Sequence, residues 1–240
     1  LTDDEKMSRL AITCWPQRHL FKSYGRGTPD EETLALRKKY GEITMHDLPK
    51  WTRDFFPGIR HLDLWSDVFG DPADTTQYTE RTVERNGRPL TVRRWDPSSP
   101  ASKRWVEKLA AIIANEKFVC QHISNNAPQF LADPDDDRRK EGIRVAKMWM
   151  DAAAVLGAKT MRANTGTASG RIMPEAEDHS TGYPKNERIV VYLKKCIESF
   201  KELADYGATV GVKITIENHW GLCANPMNIR IIMDEVNHPW

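Results

Sequence analysis

Short apolar runs closed by turn residues alternate along the chain with longer stretches whose apolar positions recur every three or four residues. Runs of the first kind suit strands buried on both faces, and the longer stretches suit amphipathic helices that cover them. The alternation is therefore the mark of repeated β/α units around a parallel sheet. Five strands are predicted, at residues 9–15 (RLAITCW), 59–65 (IRHLDLW), 117–123 (KFVCQHI), 158–164 (AKTMRAN) and 212–218 (VKITIEN). Between and after them, helices are predicted over 47–56, 101–115, 135–156, 186–206 and 227–236. Gly207 offers a stop for the fourth of these, and Asn225-Pro226 a start for the fifth.

Two stretches are too long for ordinary connections. Residues 71–100 contain TERTVER, Asn86-Gly87 and RPLTVRRW, a β-hairpin pattern in which Asn-Gly takes the positive φ values of a tight primed turn. It reads as an insertion after strand two. Its arginines, Arg81, Arg85, Arg88, Arg93 and Arg94, could meet phosphate, but a solvated hairpin face carries such charge as a matter of course. Residues 165–184 (TGTASGRIMPEAEDHSTGYP), after strand four, have the composition of a lid or binding loop. Glu175, Glu177, Asp178 and His179 within it could hold a cation, although solvation explains them equally simply. The acidic run Asp133 to Asp137 reads as the N-terminus of a helix, where carboxylates oppose the macrodipole, rather than as a metal site.

The 240 residues fit one domain, because a complete barrel of this type runs to roughly 250 residues. The 35 basic and 34 acidic residues nearly cancel, so no global field draws the chain to nucleic acid or to an anionic membrane. The apolar runs fall far short of the roughly 20 residues that cross a bilayer. Cys14, Cys120, Cys196 and Cys223 lie far apart, with no metal-binding or redox spacing, and are expected to be buried thiols. The expected location is cytoplasmic. Since the numbering begins without Met, a removed export leader stays open.

In parallel β/α barrels chemistry sits at the C-terminal ends of the strands. These ends are polar here. Side chains two apart share a face of a sheet, so Ile214 and Ile216 should meet the helices while Lys213, Thr215 and Glu217 point inward, Glu217 at the mouth. The same parity turns His122, Arg162 and Asn164 inward. Glu217 is the leading catalytic candidate, with a structural ion pair to Arg162 as the alternative. His122, Arg162, Asn164, Asn218 and His219 are candidate substrate contacts. His122 could equally be a core histidine, and Asn218 could simply shape the turn. Trp15 and Trp65 would offer apolar ring faces to sugar C–H groups, or else pack.

The segment VKITIENHWGL, with the helix NPMNIRIIMDEV and then NHPW, resembles the fifth strand, fifth helix and sixth-strand lead-in of the xylose isomerase-like TIM-barrel superfamily. The resemblance implies an α/β fold, a parallel (β/α)8 barrel of which residues 1–240 supply about the first five units. It also implies a sugar isomerase or epimerase, with dehydratases and lyases in the same group. Such enzymes use a divalent ion, Mn²⁺ above all and Mg²⁺, Co²⁺ or Zn²⁺ as alternatives, with Glu217 here as one metal ligand. The family's other ligands come from strands six to eight, so further residues, a completing chain or a homo-oligomer are expected. A carbohydrate is the expected substrate, and nucleic acid and membrane are not expected partners. Two other readings stay open: an endonuclease IV-like metal-dependent phosphodiesterase, and a non-catalytic barrel for binding or assembly.

Overall fold

A computed structural model describes residues 1–23, 29–85, 88–165, 177–178, 183–184, 188–219 and 221–240. Five strands of a parallel α/β sheet are present, distributed over two compact units: Leu1–Ile123 with Val155–Ala158, and Ser124–Ala154 with Lys159–Trp240. The predicted strands all exist, but each is shorter than its apolar run.

In the first unit, β1 (Ala11–Thr13) lies parallel to β2 (His61–Trp65), with Ile12 opposite Leu62 and Thr13 opposite Asp63. Leu62 and Leu64, two apart and so on one face of the strand, are fully buried, while His61 and Asp63 on the other face are half-buried. Trp65 is buried, and its backbone N–H donates to the Cys14 sulfur at 2.9 Å. Three α-helices precede β2: α1 (Asp3–Met7), α2 (Glu31–Tyr40) and α3 (Leu48–Phe55), the last where the pattern placed it. The apolar pattern did not reveal α2, yet its signals are there. The Asp30 carboxylate accepts from Thr33 N–H at 2.7 Å, two glutamates follow in the first turn, and Arg37, Lys38 and Lys39 close the last.

The predicted insertion after β2 is an antiparallel pair, β3 (Tyr78–Arg85) and β4 (Arg88–Trp95), in register from Tyr78 opposite Trp95 to Arg85 opposite Arg88. The Asn86-Gly87 turn lies outside the described residues. At the base of the pair the Tyr78 hydroxyl donates to the Phe69 carbonyl at 3.1 Å. Trp95 meets Phe69 and Trp105 edge-on, with centroids 5.3 and 5.7 Å apart. Trp105 belongs to α4 (Pro100–Asn115), which starts with Pro100 in its first turn and the Ser99 hydroxyl accepting from Ser102 N–H. Then β5 (Val119–Ser124) begins beside β2, Val119 N–H donating to the Arg60 carbonyl at 2.8 Å.

The second unit holds α5 (Asp136–Val155), β6 (Thr160–Arg162), the short pair β7 (Glu177–Asp178) and β8 (Tyr183–Pro184), α6 (Ile189–Val210), β9 (Lys213–Thr215) and α7 (Pro226–Val236). Strands β6 and β9 are parallel, with Arg162 opposite Thr215. The acidic run does open α5: Asp133 Oδ1 accepts from Asp135 N–H, and Asp135 Oδ1 accepts from Asp137 and Arg138 N–H. Burial holds the Asp133 carboxyl above the usual carboxylate range. Of the suggested cation ligands in 165–184, Glu175 and His179 lie outside the described residues, as does most of that loop.

The expected stop at Gly207 is a correction. Helix α6 continues to Val210 and is capped by Gly211 in the left-handed conformation, at φ 77°. Gly207 serves close approach instead, because a Cβ there would stand 2.5 Å from the Val212 carbonyl oxygen as the chain turns back into β9. Gly142 on α5 plays the same part, with its Cα face against the Gln129 carbonyl. The backbone N–H of Ile214 donates to the Trp240 carbonyl at 2.9 Å, so NHPW lies along β9. No helix among the described residues is long and apolar enough to cross a membrane.

Two predictions follow from this packing. Gly142→Ala should lower the unfolding free energy by about 1–3 kcal/mol in urea titrations, because the added methyl meets backbone that cannot yield. The four cysteines are free and buried, and burial pushes the Cys120 and Cys223 thiols up to about 12 and raises Cys14 and Cys196 as well. The folded protein should therefore resist thiol reagents that label all four after unfolding. An unfolded thiol ionises near its ordinary 9.0, so this contribution to stability is intact below that pH and is lost as pH rises toward 12.

Candidate functional site

Both β6 and β9 run in the same direction, so Arg162, the last residue of β6, and Glu217, two residues beyond β9, stand at the C-terminal end of the strand pair. The Arg162 Nη1 group donates to a Glu217 carboxylate oxygen in a close ion pair. Its Nη2 group donates to Asn126 Oδ1 at 2.6 Å, and Asn164 Nδ2 donates to the same oxygen at 3.2 Å. A guanidinium can only donate, so the amide atom of Asn126 that faces it must be the oxygen. Four side chains from three segments are thus tied into one group: Arg162, Glu217, Asn126 and Asn164.

The burial of this pair is lopsided. The Arg162 side chain is 9% exposed and that of Glu217 45%. The cation is sunk beneath the strand ends, and the carboxylate forms the face that meets solvent. Two buried polar atoms of the group, Arg162 Nε and Asn164 Oδ1, have no hydrogen-bond partner among the described residues. Asn125 anchors the loop beneath. It is fully buried, its Oδ1 accepts from Ala127 N–H at 2.8 Å, and its Nδ2 donates to the Met161 sulfur at 3.4 Å. Asn218 and His219 are exposed next to Glu217, and His219 N–H donates to the Glu217 carbonyl at 3.0 Å, closing a turn.

Of the predicted site residues, Glu217, Arg162 and Asn164 are brought together in the second unit, with Asn218 and His219 at their edge. Three belong to the first unit. His122 is half-buried on β5, Trp65 is packed, and Trp15 is exposed with the Arg18 guanidinium 4.1 Å from its ring centroid. Asn126 was not among the predicted contacts. Parity would have found it, since residues 122, 124 and 126 share a face if the strand direction is carried past Ser124.

A divalent metal does not fit these residues as they stand. The Glu217 carboxylate is committed to a guanidinium, and among the described residues no three His, Cys, Asp or Glu side chains gather to hold an ion.

Residues 81–240 match the family described as xylose isomerase-like TIM barrel. The chain belongs to this family. Among solved structures, it is similar to the E. coli 3-keto-D-glucoside 4-epimerase in its apo form, with a TM-score of 0.53 at 10% identity over 81% of this chain and 60% of that one. It is also similar to an L-ribulose 3-epimerase, with a TM-score of 0.51 at 13% identity over 97% of this chain and 58% of that one. A third is a xylose isomerase-like TIM-barrel protein from Mycobacterium smegmatis in complex with magnesium, with a TM-score of 0.50 at 16% identity over 82% and 55%. At these identities the likeness is one of fold. The chain spans between 55% and 60% of the length of these three proteins. No curated protein matches it.

The uneven burial sets an uneven cost for breaking the ion pair. Arg162→Met leaves behind a carboxylate that water can hydrate, and unfolding free energy should stay within about 1 kcal/mol of the parent. Glu217→Ala leaves a sunken cation without its counter-ion and should cost about 2 kcal/mol more than Arg162→Met. Urea unfolding of the two variants reads the difference, and equal losses would mean that the pair is a symmetric surface contact.

Proposed function

We propose that this protein is a sugar isomerase or epimerase-like enzyme that moves a proton at the carbon beside a carbonyl, on a sugar, a polyol-derived ketone or an oxidised sugar. Glu217 is the proton carrier. The observation that carries this reading is the half-exposed carboxylate at the strand ends, held in place from below by a buried guanidinium. The names of the similar structures, two of them epimerases of keto-sugars or ketoses, favour the same class.

The chemistry follows from the pairing. A carboxylate oxygen takes the proton from the C–H next to the carbonyl, and the bonding electrons move toward the carbonyl oxygen to give an enediolate. Taking that proton neutralises Glu217. The positive charge of Arg162 then loses its fixed counter-ion at the moment a new anion forms nearby, so its field acts on the enediolate rather than on the resting substrate. Returning the proton to the neighbouring carbon isomerises the sugar, provided that the hydroxyl proton on that carbon's oxygen passes to the former carbonyl oxygen of the enediolate. Epimerisation needs a second proton carrier on the opposite face, a role that none of the four grouped side chains fills.

Asn164, Asn218 and His219 are the proposed contacts for sugar hydroxyls beside Glu217. A divalent ion, Mn²⁺ first, is the cofactor that the family favours for the whole enzyme; Glu217 would supply a ligand to it only by giving up Arg162, and the proton transfer described above does not run through it.

Incubation with ketoses and keto-sugars in D₂O tests this directly. The protein should wash deuterium into the carbon next to the carbonyl, and Glu217→Gln should slow that exchange by about 100- to 10,000-fold. An unchanged exchange rate in the variant would remove Glu217 from the reaction.

A further inference from the structure

The Asn126 side chain sits where its role can be separated from that of every residue around it. One oxygen, Oδ1, receives a donor from Arg162 and another from Asn164, and so it joins the loop after β5 to the end of β6. Arg162 is the only described side chain in this group that also touches Glu217, through its other Nη arm. With both arms engaged, the guanidinium plane is fixed. With only the Glu217 arm engaged, it is free to swing about its Cδ–Nε bond and take the carboxylate with it. The remaining donor, Nε, has no partner among the described residues and cannot hold the plane.

We infer that Asn126 is a positioning residue for Glu217, acting through Arg162. This rests on the reading of Glu217 as the proton carrier, and it adds a device for holding that carrier in one place. The neighbouring Asn125 does a different job. It is buried, and its side chain closes the turn onto Ala127 N–H, so it sets the loop's path while Asn126 presents its amide to the arginine. The chemistry requires an acceptor at residue 126 and tolerates either an amide or a carboxylate. A donor-only or apolar side chain fails there, because the guanidinium has nothing but donors to offer.

The arrangement has a spectroscopic signature that a generally structural residue would not give. Guanidinium Nη–H protons average by bond rotation unless both arms are hydrogen-bonded. With arginine labelled with ¹⁵N, the intact protein should show resolved, slowly exchanging Arg162 Nη–H signals at low temperature, assigned by their loss in Arg162→Lys. Asn126→Leu should lose the Nη2 signals while the circular dichroism spectrum is unchanged, and Asn126→Asp should restore them. Should the Leu variant fail to fold, Asn126→Ser, whose hydroxyl is too short to span 2.6 Å from the same backbone position, must lose the signals in its place. Signals that persist in the Leu or Ser variant overturn the proposal.

A second measurement reads the consequence for catalysis. Deuterium exchange by Asn126→Leu should fall about 100-fold in kcat with KM little changed, and Asn126→Asp should recover most of it. A parallel rise in KM with unchanged kcat would assign Asn126 to substrate binding and overturn the positioning role. If the parent protein exchanges no substrate C–H at all, the proposed function fails, and the Arg162 signals still decide the role of Asn126.

Discussion

A guanidinium cannot give up its charge, and at residue 162 it has been taken largely out of water. Everything at the strand ends of the second unit answers to that constraint. A buried cation needs a counter-ion and acceptors for its N–H groups, and the chain supplies them from two other places, the residues after β9 and the loop after β5. The carboxylate that answers the charge is therefore held by an electrostatic demand from below while its outer side stays open. The acid's position follows from the arginine's burial, and its own exposure leaves its outer side to solvent.

That arrangement holds only if the strand ends are in fixed relation to the helices behind them. Two glycines secure it in the second unit. Gly142 lets α5 press against the Gln129 carbonyl, in the same loop that presents Asn126, and Gly207 lets α6 press against the Val212 carbonyl just before β9. The Ser199 hydroxyl adds a third tie by donating to the Leu131 carbonyl at 2.7 Å. Packing behind the sheet and hydrogen bonding at its edge are thus the same device seen from two sides. A side chain added at either glycine would shift a backbone segment that carries a member of the polar group.

The periodic pattern of the sequence was enough to locate the five strands of the parallel sheet, the hairpin insertion and most helices, because buried strands leave apolar runs that survive any detail of packing. It was weaker at ends. Each of those five strands starts later than predicted, and β1, β6 and β9 also end earlier, because ladder pairing depends on a neighbour; α6 outruns Gly207 because a glycine in a helix can mark close contact as well as termination. Parity turned Arg162, Asn164 and Glu217 to one face, and the three are found together, Glu217 in the ion pair with Arg162 that stood as the structural alternative to catalysis. Parity passed over Asn126 because the alternation was not carried past Ser124 into the loop, although residues 122, 124 and 126 share a face when it is. Helix α2 was missed because its signals are caps and charges, without an apolar stripe.

The hairpin of β3 and β4 is fastened at one end. Tyr78 and Trp95, the first pair of its ladder, are the ones that reach the body of the first unit, through the Phe69 carbonyl and the Trp105 ring. From that root the ladder runs to Arg85 opposite Arg88. Removing or adding two residues in each strand would keep each side chain on its present side while changing only the arm's reach. The insertion is in this sense a graft site supplied by the molecule itself, where length and chemistry can be rewritten without reopening the aromatic joint that bears it.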